Sequence, residues 1–466
     1  MRAIIGREAL HGSWLTPTLY GEPFLTKPPG MYAAIAAVSA PFGDVTAISS
    51  RIPSAIAATV VVLLFYFAFR QIVDRRLALA GAMLLPVSLV WLEKAQSAEI
   101  DMLQVAWVSC ALFCFLRALP CGRDADALRS EDSASRLTGI WWIAALLCVA
   151  AGFLTKWTAP AFFYLAVVPM LAWRQQISLL WSRGHFIGVA VAGLIVALWA
   201  GAVASQVGWP LLRDTVVTEA AQRFAPHHGG RAYPWLETLA FPFQVLVACM
   251  PWSLLALYSL RPAYFQLWNE NGRRLLQLLH CWTWPNLLFW SLPAQHHVRY
   301  CLPMCPGLIG LGVMVFVNCL AATRRLCAAE RVGQPNALLR KAFAPRLNTI
   351  VFVGILIAWC GVKIAFVEAV LPKRTEHRHV EQTASRLSEL VPQGESLYLC
   401  KLKDEGVLFY YNRPARRFHW DELPARPFHA VLIEAEWRQE KDSSRFEIVE
   451  LLRDQQGDAI VLVRFP

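Results

Sequence analysis

The chain has 466 residues, of which 56% are hydrophobic and only 17% carry a charge. Soluble globular proteins usually have about 25% charged residues and about 45–50% apolar ones, so this composition argues against a soluble protein. The formal net charge of +11 is found in many nucleic-acid-binding proteins, but here the positive charge is confined largely to alternate loops, which argues against that class.

Residues 1–51 precede the first long apolar stretch. A helix-like start is followed by a turn region rich in Pro and Gly, and then by an apolar stretch from Met31 to Phe42. That stretch is too short to cross a bilayer and is typical of an amphipathic helix that lies at the interface. The loop charges place this segment outside the cell membrane, and we expect that the apolar span needed to translocate it is missing at the start of the chain.

Ten intervals without a charged residue follow, and most are long enough for the roughly 20 apolar residues that span a bilayer. They are 52–69, 77–92, 102–116, 137–155, 157–173, 184–212, 238–260, 275–298, 300–323 and 347–362. The short intervals at 77–92 and 102–116 reach sufficient length if flanking residues snorkel. Soluble helices need a polar face, which these intervals lack. The pattern predicts a mainly α, polytopic membrane protein with about ten transmembrane helices.

Basic residues are distributed unequally between the loops on alternate sides of these spans. One set of loops contains Arg70, Arg75, Arg76, Arg117, Arg123, Arg129, Arg136, Arg174, Arg183, Arg261, Arg273, Arg274, Arg324, Arg325, Arg331, Arg340, Lys341 and Arg346. The other inter-helix loops contain only Lys94, Lys156, Arg213, Arg223, Arg231 and Arg299. By the positive-inside rule, the first set faces the cytoplasm. Residues 1–51, the 205–237 loop and residues 373–466 are therefore predicted to be external.

From about Lys373 the chain changes character and predicts a small external α/β domain. His377–Leu390 has a helical pattern. β-Branched and aromatic residues then alternate with polar ones in short runs separated by turn signals, which is typical of strands. The predicted strands are Ser396–Leu402, Val407–Tyr411, Ala430–Glu434, Phe446–Leu451 and Ala459–Phe465. The predicted domains are 1–51, 52–372 and 373–466.

Most of the twelve cysteines lie inside the apolar intervals, and none forms a C-x-x-C pair or a metal-ligand spacing with His. We interpret them as small apolar packing residues. The sequence therefore predicts no metal-ligating residues. A divalent cation stays open as a cofactor, although no ligand spacing supports one.

An ordered set of motifs lies between residues 6 and 310. The first external segment contains W-x-x-P and G-x-P-F-x-x-K-P-P, which correspond to Trp14, Pro17, Gly21, Pro23, Phe24, Lys27, Pro28 and Pro29. The later motifs are RIPSAIAA (51–58), AEIDML (98–103), GFLTKWTAP (152–160), RFAPHHGGRAYPW (223–235), MPWSL (250–254) and VRYCLPMCPGL (298–308). This set resembles the C-type membrane glycosyltransferases, most closely the branch that contains the aminoarabinose transferase of lipid A and the bacterial relatives of protein O-mannosyltransferases.

The resemblance implies transfer of a sugar from a polyprenyl-phosphate carrier to a lipid, glycan or protein acceptor on the non-cytoplasmic face. It implies an inverting reaction in which carboxylates act as acid and base. In the family, one transmembrane helix and an acidic pair precede the short helix that matches Gly6–Leu10, so both would lie before Met1. We therefore expect this chain to lack a first transmembrane helix and the principal catalytic carboxylate, which puts its transfer activity in question. Glu8 aligns within the short helix and is interpreted as structural.

Basic residues at the external ends of the spans are the predicted contacts of the donor phosphate. A cation is needed to hold the phosphate and stabilise charge on the leaving group, and the family places a phosphate-binding lysine at Lys27. The alternative is a lysine that snorkels at the interface. Lys156 is either a second cation of the cavity or an interface anchor. Arg223 and Arg299 are further predicted phosphate contacts, and the predicted substrate-cavity residues are His227, His228, His297 and Tyr300.

Asp101 is the predicted catalytic carboxylate, with Glu99 as a second candidate. An acidic residue at the mouth of a transmembrane helix is costly and is usually functional or paired, and in the family an Asp at this place lies in the catalytic cavity. The alternative is an ordinary helix N-cap, where Asp is favoured. Because the phosphate-binding and acid/base groups must meet one substrate, Lys27 and Asp101 are predicted to share a cavity.

Two other functions are consistent with parts of this pattern. A transporter or flippase for lipid-linked glycans would also meet its substrate in the membrane, but transporters usually show paired halves with broken helices, and the sequence shows no such halves. An inactive homologue with a binding or scaffolding role would explain the missing acidic motif. Glycosyltransferase activity is the function that the sequence favours.

Overall fold

The computed structural model of the chain describes residues 1–119, 132–224, 233–331, 344–365, 368–369, 380–402, 405–425, 427–440, 446–454 and 456–466. The chain forms two compact units. The first contains Met1–Leu25, Tyr32–Ser50 and Val362–Pro466, and the second contains Thr26–Met31 and Arg51–Gly361. The predicted fold class is confirmed, because the described residues are mainly helical and a five-stranded sheet lies in the C-terminal segment.

The helices and strands of the described residues have the following bounds in chain order. The helices of the first half are α1 (Arg2–His11), α2 (Gly30–Ser39), α3 (Ile52–Phe69), α4 (Arg75–Leu84), α5 (Leu89–Ala95), α6 (Ile100–Ala118), α7 (Asp132–Thr155), α8 (Ala159–Trp173), α9 (Arg183–Val207) and α10 (Trp209–Phe224). Those of the second half are α11 (Trp235–Ala248), α12 (Trp252–Tyr258), α13 (Pro262–Gln266), α14 (Glu270–Ser291), α15 (Cys305–Arg331), α16 (Ala344–Ala365), α17 (Val380–Leu390), α18 (Glu405–Tyr411) and α19 (Glu434–Glu440). The strands are β1 (Thr18–Leu19), β2 (Glu22–Pro23), β3 (Leu397–Leu399), β4 (Ala415–Arg417), β5 (Phe428–Ile433), β6 (Glu447–Arg453) and β7 (Ala459–Phe465).

The second unit is a bundle of apolar helices. Within the described residues, five helical stretches are long and apolar enough to cross a membrane: Ser49–Phe69, Ile100–Ala118, Leu137–Thr155, Arg183–Val207 and Val298–Ala322. The pair α11 and α12 adds a sixth if these helices, bent by 105° against each other, form one span. Because a helix rises 1.5 Å per residue, spans of this length cover about 29–38 Å and match the hydrocarbon core. The chain is thus a multi-pass membrane protein, and the total of ten spans stays a prediction.

Two predicted spans are interrupted next to proline residues. The interval 77–92 contains α4 and α5, which are separated by a 3₁₀ turn that includes Pro86. Proline lacks the backbone N–H that a continuing helix needs, so α4 ends at Leu84. The interval 238–260 is divided between α11 and α12, and Pro251 is the N-cap residue of α12. Neither interval is the single helix that the sequence predicted.

Burial separates the central helices of the second unit from the peripheral ones. The apolar windows of α6 and of Val298–Ala322 are 67% and 78% buried, whereas that of α9 is only 17% buried. Leu194 and Leu198 are among the exposed leucines of α9, and such apolar side chains are favoured in contact with lipid. The core of this unit therefore lies along α6 and the helix that follows residue 298.

The first unit contains a five-stranded sheet in the order β4-β3-β5-β7-β6. Strands β4, β3 and β5 are parallel, and β7 pairs antiparallel with β5 and β6. Four of the five predicted strands are confirmed as β3, β5, β6 and β7, and the predicted helix before them is confirmed as α17. The prediction of a strand at Val407–Tyr411 was wrong, because these residues lie in α18. Val407, Leu408 and Tyr411 are buried there at the spacing of one helix face.

The start of the chain shares an apolar cluster with the C-terminal segment. Ile5, Leu19 and Tyr20 are buried in the same cluster as Leu397 and Leu462. The sequence treated residues 1–51 and 373–466 as separate domains, whereas the structure places most of both segments in one compact unit. This packing has no local sequence signal, because the apolar residues of the two segments lie more than 350 positions apart.

Polar contacts reinforce the same unit. Arg7 of α1 donates hydrogen bonds to Asp44 Oδ1 at 2.9 Å and to the carbonyl oxygen of Phe409 at 3.0 Å. Glu8 holds the turn between β1 and β2, because its carboxylate accepts from the backbone N–H of Tyr20 at 2.7 Å and from Thr18 Oγ1 at 2.5 Å. Tyr20 has a positive φ of 58°, a conformation that the two-residue hairpin turn requires. Glu8 therefore has the structural role that the sequence suggested.

Candidate functional site

The loop that contains Lys27 is fixed by the residues that follow it. Pro28 and Pro29 restrict the backbone φ, and α2 begins at Gly30. A Cβ atom on Gly30 would lie 2.6 Å from Thr155 Oγ1 and 2.8 Å from the carbonyl oxygen of Leu154. Only glycine permits this close approach to the end of α7. The K-P-P-G motif thus holds Lys27 near the turn between α7 and α8.

Lys27 forms an ion pair with Glu219 of α10. Its Nζ donates to Glu219 Oε2 at 2.5 Å and to the Thr26 carbonyl oxygen at 2.9 Å. The same carbonyl oxygen accepts the indole N–H of Trp157 at 3.2 Å. The side chains of Lys27 and Glu219 are 25% and 20% exposed, so the pair is partly accessible. Lys27 and Trp157, the residue after Lys156, therefore donate to the same carbonyl oxygen of Thr26.

Lys156 and Asp101 form a buried ion pair. Lys156 lies in the turn after α7, and its Nζ donates to Asp101 Oδ1 in the first turn of α6. Their side chains are only 4% and 3% exposed. Burying two charges is costly and is offset only by close pairing and hydrogen bonding. The dipole of α6 also favours a negative charge at this end of the helix.

The ring of Tyr300 lies near both Lys156 of this pair and a second basic residue, Arg299. Lys156 Nζ lies 5.1 Å from the centre of the Tyr300 ring, and Arg299 Cζ lies 5.5 Å from it. The His297 ring packs edge-on against Tyr300 with 5.2 Å between ring centres. Burial, together with the positive charges of Arg299 and His296, lowers the pKa of His297. This shift favours the neutral form of His297, in which one ring nitrogen accepts a hydrogen bond.

A narrow pocket adjoins Lys156. Its volume is ≈ 10 Å³, about the space of one water molecule. It is lined by Lys156, Thr158, Trp290, Pro293, Gln295 and Tyr300. A sugar ring does not fit into this volume, so the described arrangement is closed around the Lys156 ammonium.

The structure brings five of the predicted site residues together, namely Asp101, Lys156, His297, Arg299 and Tyr300. Lys27 lies beside them through Thr26 and Trp157. The common cavity of Lys27 and Asp101 and the roles of these residues stay predictions.

The remaining predicted residues have other positions. Glu99 is the N-cap residue of α6, and its N–H donates to Ser54 Oγ at 3.1 Å. The alternative of Asp101 as an N-cap is therefore wrong, since Asp101 lies inside the first helical turn. Arg223 lies in α10. His227 and His228 fall outside the described residues.

Two further site residues were missed by the sequence interpretation. Glu219 pairs with Lys27 across 192 positions, and such a distance leaves no local pattern. Gln104 donates its Nε2–H to Thr158 Oγ1 at 2.8 Å, next to the narrow pocket. Gln104 follows Asp101 by three residues, so both lie on one face of α6. This spacing could have identified Gln104 as a site residue.

The site offers cations rather than metal ligands. Within the described part of the chain, no group of three or more His, Cys, Asp or Glu side chains could hold a metal ion. The arrangement of Lys27, Lys156 and Arg299 is suited to an anion such as a phosphate.

Sequence relatives identify the group of proteins to which this chain is similar. Residues 26–200 match the family model described as dolichyl-phosphate-mannose-protein mannosyltransferase. The undecaprenyl phosphate-alpha-4-amino-4-deoxy-L-arabinose arabinosyl transferase of Pseudomonas paraeruginosa is 31% identical over 301 residues, 63% of this chain and 50% of the relative. The corresponding transferase 1 of Pseudomonas fluorescens is 30% identical over 331 residues, 69% of this chain and 56% of the relative. The chain is therefore similar to C-type membrane glycosyltransferases.

A solved structure supports the C-type glycosyltransferase fold. The structure of ArnT from Cupriavidus metallidurans bound to undecaprenyl phosphate matches 99% of this chain and 92% of that one, with a TM-score of 0.69 and 18% identity. At this identity the likeness concerns the fold alone. The region matched by the family model contains Lys27, Asp101 and Lys156. The chain spans about half the length of the curated relatives it matches.

Proposed function

We propose that this chain transfers a sugar from a polyprenyl-phosphate carrier to an acceptor at the membrane surface. The observation that carries the proposal is the grouping of Lys27, Lys156, Arg299 and Asp101 at one end of the apolar helices. A phosphate whose lipid chain lies in the bilayer would also lie at the ends of the membrane-spanning helices. The relatives are named as undecaprenyl-phosphate-dependent arabinosyl transferases, which supports a polyprenyl phosphate as the carrier.

In the proposed reaction, a nucleophilic oxygen of the acceptor attacks the anomeric carbon while the bond from that carbon to the phosphate oxygen breaks. The leaving phosphate gains negative charge, and Lys27 is placed to stabilise it. Arg299 is a second donor for phosphate or sugar oxygens, since its buried Nε has no hydrogen-bond partner among the described residues. The proton of the acceptor passes to a carboxylate or to solvent.

Asp101 is better suited to positioning than to proton transfer. Its carboxylate is nearly fully buried and already paired with Lys156. The pair directs the Lys156 ammonium toward Tyr300 and the narrow pocket. Glu99, as the N-cap residue of α6, supports the same helix end. We therefore assign Asp101 the task of holding Lys156 in place for the donor.

A transfer assay tests the function directly. The purified chain in sealed liposomes receives undecaprenyl phosphate-linked 4-amino-4-deoxy-L-arabinose with a radiolabelled sugar, together with a lipid extract as acceptor. Transfer of the label to an acceptor is the expected result. Movement of the donor across the bilayer without transfer would indicate a flippase, and binding alone would indicate a scaffolding role. Both of these results contradict a transferase. A parallel reaction in EDTA shows whether a divalent cation takes part.

The finer topology is also part of the proposal. We propose that the site end of the helices and the C-terminal sheet face the periplasm, because the arginine-rich loops lie on the other side. In a cysteine-depleted background, Gln393→Cys should react with an impermeant thiol reagent added outside the cell, and Ala263→Cys should react only after permeabilisation. Both positions are exposed. Labelling of Ala263→Cys but not Gln393→Cys in intact cells would reverse the orientation.

A further inference from the structure

A second cavity lies at the opposite end of α6 from Asp101. It is bordered by α3, α6, α7 and α14 and has a volume of ≈ 920 Å³. Asp101 lies in the first turn of α6, and Arg117, which lines the cavity, lies in the last turn. Sixteen residues of helix separate them, which corresponds to about 24 Å along the axis. This cavity is therefore distinct from the proposed transfer site.

The lining of this cavity is divided into an apolar and a basic part. Its apolar part includes Leu64, Phe67, Phe113, Leu137 and Trp141. Phe67 and Leu137 are 53% and 59% exposed, so the cavity opens beside them, on the surface that the apolar helices present to lipid. An acyl chain would enter from the bilayer at this opening without leaving apolar surroundings.

The basic part is formed by Arg117 and Arg274. Arg274 donates from Nη2 to the carbonyl oxygens of Leu116 and Leu119, at 2.9 and 2.8 Å, and this holds its guanidinium at the C-terminal end of α6. Gln71 and Asn271 add polar groups to the same lining. No Asp or Glu is among the described residues that line the cavity. The net charge of the lining is positive, which complements an anion.

We propose that this cavity binds an anionic glycerophospholipid of the bilayer. Arg117 and Arg274 contact the phosphate of its headgroup, and one acyl chain lies along Phe67, Phe113 and Trp141. An amphiphile with one negative charge matches both the basic and the apolar part, and the volume is within the range of about 300–1,000 Å³ that is common for ligand pockets. Basic pockets between membrane helices are known to recognise anionic headgroups by these contacts. The proposal does not depend on sugar transfer.

Native mass spectrometry of the full chain, delipidated in detergent, tests the site. Phosphatidylglycerol and phosphatidylcholine with identical acyl chains are added separately, and the fraction of protein that retains one lipid is measured. Retention of phosphatidylglycerol should exceed that of phosphatidylcholine. Arg117→Gln should reduce this preference about fivefold, because each arginine near an anionic headgroup contributes about that factor. Arg274→Lys keeps the charge and should preserve the preference.

The matched control is Arg273→Gln, which removes one positive charge from the neighbouring position of α14 but is not part of the lining. It should leave the preference unchanged. Thr138→Phe fills the cavity and should reduce retention of both lipids. Equal retention of the two lipids by the unmodified chain would overturn the proposal, as would an equal loss in Arg273→Gln and Arg117→Gln. Displacement of the lipid by glycerol phosphate at the same concentration would show a site for free phosphate instead.

Discussion

Replacing Lys27 with alanine is expected to weaken the binding of undecaprenyl phosphate by about 10- to 100-fold, because a hydrogen bond to a charged group contributes about 1.5–3 kcal/mol. Lys27 is the partly exposed cation of the site, whereas Lys156 is buried against Asp101. Binding is measured by titrating the purified chain with undecaprenyl phosphate and following intrinsic tryptophan fluorescence. Thermal unfolding of the same samples shows whether the variant is folded.

Lys94→Ala is the control for this variant. Lys94 also pairs with a carboxylate, that of Glu93 at 2.7 Å, and it lies in the last turn of α5, on the same predicted side of the membrane. Its replacement should leave the affinity for undecaprenyl phosphate unchanged. If Lys27→Ala bound the lipid as tightly as the unmodified chain, or if Lys94→Ala lost as much affinity, Lys27 would not be the phosphate-binding residue.

Glu219→Gln should have the opposite effect on the same affinity. The Glu219 carboxylate competes with a phosphate for the Lys27 ammonium, so its neutralisation should strengthen binding about two- to fivefold, the equivalent of about 0.4–1 kcal/mol for a partly exposed ion pair. Asp214→Asn is the matched control, since Asp214 lies on the same helix and pairs with its exposed neighbour Arg213. Weaker binding by Glu219→Gln would mean that Glu219 orients Lys27 rather than competing with its ligand.

The apolar helices were predictable because burial in lipid requires continuous apolar sequence. The interval 52–69 is α3, and the bounds of α6, α7 and α9 lie within a few residues of the predicted intervals, apart from the start of α7 and the end of α9. Interruptions were less evident, since Pro86 and Pro251 are apolar residues and do not alter the hydropathy of the intervals. The absence of charged residues therefore identifies where the membrane segments lie. It does not identify where a proline interrupts the helix within a segment.

The candidate site was predictable where a motif contains its own geometry. Lys27 precedes two prolines and Gly30, and only a glycine fits at position 30 against Thr155. Lys156 directly follows the last residue of α7. The partner of Lys27 was not predictable, because Glu219 is brought to it only by the packing of the second unit. The prediction of a strand at Val407–Tyr411 was wrong for a related reason. Aromatic and β-branched residues favour strands locally, and burial of one helix face overrode that preference.

The buried pair of Lys156 and Asp101 leads to the largest expected effect on stability. Asp101→Asn or Lys156→Met leaves one charge buried without its partner, and each should lower the free energy of unfolding by about 3–5 kcal/mol. Thermal unfolding in detergent, with the same detergent and lipid content throughout, measures the change. Arg438→Ala is a suitable control, because its ion pair with Glu434 on an exposed helix face should contribute only about 0.3–0.5 kcal/mol.

The double variant Asp101→Leu with Lys156→Met separates the stability of the pair from its use in transfer. Replacing a whole buried ion pair with apolar side chains is often neutral or stabilising, so the double variant should unfold close to the unmodified chain. If Asp101→Leu and Lys156→Met alone each lose about 3–5 kcal/mol and the double variant loses almost nothing, the double-mutant cycle should give a non-additive free energy of about 6–10 kcal/mol. Transfer activity should nevertheless be lost, because the Lys156 ammonium next to Tyr300 is absent. A double variant that is stable and transfers sugar at the original rate would show that the pair is purely structural, whereas single variants with stability unchanged within about 1 kcal/mol would refute its burial in the folded protein.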